Sequence, residues 1–216
     1  MNYMLPLLIG FFAAALGTSL PGMLNITAAK ISAFYGKKPA VVYALGAVTI
    51  AGLQSLLSAL FAKYLDKHPE VIVLLEEVGI FIFFILTIYF FSTGKKNKKK
   101  EAVYDQDKPL YKQFGLGALL SSVNVFPIPY YVFIALTCSA KDWFPFDFWP
   151  LAMLVFGVML GTFLLFYAYI LFFKPKEGAK EEVSFIMKNA NYIIGSITGI
   201  IAIFTVVKLI KPYLGY

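Results

Sequence analysis

Hydropathy along this chain rises and falls in long waves. Apolar stretches run from about Leu5 to Tyr35, Ala40 to Tyr64, Val71 to Phe91, Lys112 to Cys138, Trp149 to Phe173 and Ala190 to Leu209. Each is long enough for a bilayer crossing, which needs about 20 residues of helix. Short polar or charged segments divide them, the clearest being Gly94 to Pro109 with its run of lysines. The pattern predicts an all-α integral membrane protein of six transmembrane helices. The first and fourth stretches are interrupted near their centres. Gly17-Thr18-Ser19-Leu20-Pro21-Gly22-Met23-Leu24-Asn25 sets Pro, Gly and polar side chains inside an apolar run, and Ser121-Ser122-Val123-Asn124-Val125-Phe126-Pro127-Ile128-Pro129 does so again. Proline removes a backbone donor and clashes with the carbonyl four residues earlier, while glycine adds freedom.

Inside a bilayer the freed backbone groups must meet protein, or water in a cavity. Two broken helices in corresponding positions of two halves are the sequence mark of a transporter's solute site. Three spans per half make the second half enter the membrane in the opposite sense, an inverted 3 + 3 repeat with helices 1 and 4 broken near the midplane. The expected divisions are a first repeat at 1–93, a Lys-rich cytoplasmic linker at 94–111 and a second repeat at 112–216.

Composition agrees with a lipid solvent. The chain is 60% hydrophobic and 14% charged, against about 45–50% and about 25% in soluble domains. Six spans use nearly all of the 216 residues, so no nucleotide-binding domain fits and transport would draw on a gradient. In a soluble protein the net charge of +7 would suggest nucleic acid. Here the basic residues lie between spans, where orientation and lipid contact account for them, and no nucleic-acid partner is expected. All 19 are lysines, which rules out a bidentate guanidinium clamp. A lone Cys138 rules out an internal disulfide. The N-terminus lacks a basic signal-peptide region, so the first span is expected to stay.

Lysine placement predicts orientation. The loops after spans one, three and five hold Lys30, Lys37 and Lys38, seven lysines from Lys95 to Lys112, and Lys174, Lys176, Lys180 and Lys188. Lys63, Lys67, Lys141, Lys208 and Lys211 remain for the other side. The first side is expected to be cytoplasmic and both termini outside. The aromatic turn Trp143 to Trp149 reads as an interfacial belt. Gly46, Ala47, Ala51 and Gly52, then Gly157-x-x-x-Gly161 and Gly195-x-x-x-Gly199, read as close-packing surfaces.

The breaks carry the candidate chemistry. Half-helices restarting after Pro21–Gly22 and after Pro127–Pro129 are expected to present backbone N–H groups, a ready anion site. Thr18, Ser19, Asn25, Ser121, Ser122 and Asn124 either bind a solute there or only repair the broken backbone. Gln54, Tyr130, Tyr131, Tyr167 and Tyr169 either line a cavity or pack. Glu76 and Glu77 are candidates for an ammonium or a coupling proton if they lie at membrane depth, and headgroup residues if span three starts later. His68 stands alone, so no metal site, cofactor or enzymatic nucleophile–base pair is expected. Two readings compete with solute export. A cation or metal exporter would need several carboxylates at depth, and a non-transporting assembly subunit would not need two polar breaks. Homo-oligomerisation is left open.

The segment GTSLPGMLNITAAKISAFYGKKPAVVYALGAVTIAGLQSLLSAL resembles the start of the lysine exporter (LysE/RhtB) family, with its Pro-Gly-Pro-Asn-type break, Gly-basic turn and Gly-containing second helix. Asn124-Val125-Phe126-Pro127 resembles the Asn-Pro motif opening that family's fourth helix. The resemblance implies a six-span exporter of amino acids or related small solutes in the bacterial cytoplasmic membrane. Met23 stands where the family has its second Pro, and two residues separate Asn124 from Pro127. Gln54 lies near the place of an acid often found in the family's second helix.

Overall fold

The computed structural model describes residues 3–19, 22–71, 84–85, 87–89, 91–92, 109–143, 145–172, 196, 199–200, 203 and 206–207. Six long helices stand among them: α1 (Met4–Ser19), α2 (Met23–Tyr35), α3 (Lys37–Lys67), α4 (Leu110–Val123), α5 (Pro127–Ser139) and α6 (Phe148–Phe172). No strand occurs among the described residues. The chain divides into two compact units, one of Met1–Lys67 with Val103–Pro175, the other of His68–Ala102 with Lys176–Tyr216. All six helices belong to the first unit.

Two helices, α3 and α6, are each long and apolar enough to cross a membrane. The pairs α1–α2 and α4–α5 meet that test only when joined across their breaks, bent by 78° and 66°. That makes two to four candidate spans among the described residues. The bends fall where Pro21 and Pro127 were expected to put them. Pro21, Glu76, Glu77, Gly195 and most of the 94–111 linker lie outside the described residues.

Small residues decide how the first unit packs. Helix α1 buries Pro6, Gly10, Ala13 and Ala14, a stripe at helical spacing, against α6. A Cβ on Gly10 would strike the Leu154 carbonyl, and one on Gly157 or Gly161 would strike Leu7 or Phe11. Helix α4 meets α3 in the same manner. A Cβ on Gly117 would strike the Tyr43 carbonyl, and one on Gly46 the carbonyl of Phe114. Residue numbers rise together from Leu7–Gly157 to Phe11–Gly161 and from Ala47–Ser121 to Gln54–Asn124, so α1 runs parallel to α6 and α3 parallel to α4. Tyr43 and Phe166 fill the largest core cluster, ring edge to face at 6.4 Å.

Turn chemistry sets the element ends. Gly36, at φ 92°, closes α2 and gives its N–H to the Ser32 carbonyl at 3.1 Å. That backbone conformation favours glycine, and it lets α3 start at once on Lys37. The other end of α3 is tied by Lys63, whose Nζ donates to the Phe146 carbonyl at 2.7 Å. Trp143, Phe148 and Trp149 are exposed there, with Lys141 4.8 Å over the Trp143 ring.

In the second unit, Gly199 sits against the Thr87 side chain. His68 is a surface residue, with Nδ1 2.9 Å from Glu70 Oε1. A bond to Glu70's own backbone, and then His68, hold the Glu70 carboxyl below its ordinary value.

Candidate functional site

Each break leaves helix-end carbonyls without helical partners, and the two are closed by different hands. At the end of α1, Ser19 Oγ turns back onto the Leu16 carbonyl at 2.7 Å. Asn25, only 3% exposed, reaches back across the break and donates from Nδ2 to the Thr18 carbonyl at 2.7 Å. Tyr169 of α6 donates to the Ser19 carbonyl at 2.9 Å. The first break is thus repaired largely from within its own segment.

The second break is held from α3. Gln54, 6% exposed, donates from Nε2 to the carbonyls of Ser121 (3.2 Å) and Asn124 (2.9 Å). Ser58 Oγ lies 2.6 Å from the Gln54 carbonyl and 3.0 Å from that of Ile128. Ser121 donates to the Ala47 carbonyl at 3.2 Å, and Ser122 to that of Leu119 at 2.8 Å. One aromatic side chain joins the two broken helices. Tyr130 of α5 donates to the Ala13 carbonyl at 2.8 Å, with its ring over Gly17 of α1.

The structure corrects one expectation. Helix α5 does not offer a row of backbone donors. Pro127 and Pro129 have no N–H, and Ile128 gives its own to the Val125 carbonyl at 3.1 Å. Helix α2 differs: no side chain caps it, and the first-turn N–H groups of Met23 and Leu24 have no intrahelical carbonyl to meet. Gly22 and Met23 are exposed.

Among the predicted polar residues, Ser19, Asn25, Ser121 and Ser122 spend donors on backbone carbonyls. Thr18 is partly buried and Asn124 exposed; neither side chain makes a hydrogen bond among the described residues. Gln54 has become the keystone of the second break, more central than its sequence rank suggested. Ser55 and Ser58 were missed. The signal was available, because Gln54, Ser55 and Ser58 fall on one helical face at i, i+1 and i+4, a polar patch in an apolar span. No group of three or more His, Cys, Asp or Glu that could hold a metal occurs among the described residues.

Broken apolar helices, closed by polar residues and crossing at glycines, are the frame in which the family comparison falls. A family model for the LysE type translocators matches residues 12–209. The chain belongs to that family. This translocator is therefore a membrane protein with a small-molecule cargo, as the opening motifs implied. Compared with curated proteins and with solved structures, it matched none.

Proposed function

We propose that this chain exports amino acids or related small solutes across the bacterial cytoplasmic membrane by alternating access. The observation that carries the reading is the pair of bent apolar helices, α1–α2 and α4–α5, each with polar groups at its break. Translocator membership supplies the class, and the polar breaks support a solute site between them.

An inverted 3 + 3 architecture is part of the same proposal. Its support is the register of the two glycine crossings. Leu7, Gly10 and Phe11 meet α6 as Phe114, Gly117 and Ala118 meet α3, and Tyr43, Gly46 and Ala47 answer to Leu154, Gly157 and Val158. Each half thus lends its broken helix to the other half's unbroken one. Parallel packing of α3 and α4 also requires an odd number of crossings between Lys67 and Leu110. One further span there, and one after α6, complete two repeats at 1–93 and 112–216 about the linker 94–111. The lysine asymmetry then supports a cytoplasmic linker and external termini.

In this scheme the solute sits between the breaks, in contact with Thr18, Asn124 and the Gly22–Met23 backbone. Ser19, Pro21, Asn25, Ser121, Ser122, Pro127 and Gln54 shape the site by holding the breaks open and ordered. Glu76 and Glu77 serve the ammonium or a coupling proton, and rocking of one half against the other exposes the site alternately. The test is counterflow in proteoliposomes loaded with single amino acids and then with divalent cations. Exchange of an amino acid that Asn124→Leu abolishes in folded protein is the expected result. Flux of a metal alone would replace this reading with cation export. Glu77→Gln should flatten the pH dependence of exchange, and an unchanged profile would leave Glu77 as scaffold.

A further inference from the structure

The second break is rich in acceptors and empty of spare buried donors. Both Gln54 contacts to the break use its amide nitrogen, and its Oε1 has no hydrogen-bond partner among the described residues. The buried hydroxyls around it are committed: Ser121 to Ala47, Ser55 to Gly52, Ser58 to Gln54 and Ile128. The α5 start adds nothing, with prolines at 127 and 129 and the Ile128 N–H on Val125. Among the buried groups, what is left is one amide oxygen and the second lone pairs of carbonyls, with the exposed Asn124 amide outside them. Such a set recognises a hydrogen-bond donor and repels an anion.

We propose that Gln54 Oε1 receives the ammonium group of the exported solute, which leaves the coupling proton as the role of Glu76 and Glu77. The proposal rests on the export reading above and assigns its cationic pole to the second break. A buried amide oxygen left unmatched is costly, and a solute N–H removes that cost. On α3 the nearest described carboxylate, Asp66, stands roughly three turns further along the helix, so among the described residues of that helix the cradle is uncharged. A singly charged ammonium suits it better than a divalent ion, which takes several oxygen ligands and usually carboxylates. The oxygen is covered in this conformation, so the solute reaches it only when the break moves. Differential binding of that kind is what couples a ligand to a conformational change.

The experiment is proteoliposome counterflow with alanine, leucine and serine, each against its N-acetyl derivative. N-acetylation removes the positive charge and two of the three ammonium donors and sets a carbonyl beside the acceptor oxygen, so wild-type protein should favour the free amines by at least about a hundredfold. Gln54→Met should narrow that ratio to within about tenfold, a change in selectivity that a merely structural role would not produce. Gln54→Glu keeps an acceptor oxygen and should hold or widen the ratio, which serves if the Met variant does not fold. Equal exchange of both derivatives by wild type, a ratio unmoved by Met, or one collapsed by Glu would each overturn the proposal. So would a Gln54 effect confined to sodium dependence. If no amino acid exchanges, the export reading fails by itself and the variants are scored on methylammonium flux. Dependence on Gln54 would then preserve the assignment, and independence would end it.

Discussion

The two broken helices look alike in sequence and are held differently. At the first break the carbonyls of Leu16 and Thr18 are met by Ser19 and Asn25, from the same segment. At the second, the carbonyls of Ser121 and Asn124 are met by Gln54 from another helix. The first break leaves the start of α2 uncapped, with donors to spare. The second uses prolines to erase the donors of α5 and keeps an unmatched amide oxygen. In the proposed site a zwitterion would set one pole at each. Similar breaks in two halves therefore need not form similar sites. Each can specialise once its backbone repair is assigned to a different neighbour.

The glycine crossings are where the halves agree, and they should show the largest effects. Gly10→Ala and Gly117→Ala each drive a Cβ onto an opposing carbonyl, in contacts that only backbone movement relieves. Each should lose about 3 kcal/mol or more of stability, measured by unfolding in mixed detergent micelles. Matching losses would sharpen the equivalence of the crossings, and a harmless substitution at one would break it.

Next come the two amides. Gln54→Leu orphans the acceptors of two carbonyls and should cost about 2–4 kcal/mol, while Asn25→Leu orphans one and should cost about 1–2. The reverse order in the same assay would dissolve the contrast between a break held at long range and one held locally. The hydroxyl ties are smaller. Tyr169→Phe at the first break and Ser58→Ala at the second should each cost about 1 kcal/mol or less, as single hydrogen bonds in membrane proteins do. Tyr130→Phe should fall in the same range, since its ring stays over Gly17. A loss several times larger would make the Tyr130–Ala13 bond the main coupling between the broken helices.

Much of this arrangement was legible in the residues. Pro21 and Pro127 marked both bends, and Gly157-x-x-x-Gly161 marked the face that meets α1. Gly36, in the Gly-basic turn of the opening motif, marked the α2–α3 corner. All are local signals, carried by residues whose own backbone limits dictate the result. The partnership of Gln54 with Ser121 and Asn124 was not legible, because nothing within α3 names the carbonyl that its amide meets. The lost donors of α5 were also hidden. Prolines at 127 and 129 announce a break, but whether they strip a helix start of donors depends on where the helix begins. It begins on Pro127 itself.

The most direct test of the central claim is solute protection of cysteines placed at the breaks. With Cys138 replaced by Ala, Ser19→Cys and Asn124→Cys are labelled one at a time by a membrane-impermeant methanethiosulfonate, with Asp66→Cys, at the exposed polar end of α3, as the control away from both. The account predicts that an exchanged amino acid slows labelling at Ser19→Cys and Asn124→Cys several-fold and leaves Asp66→Cys unchanged. Unaltered rates at both breaks, under conditions where counterflow proceeds, would contradict it.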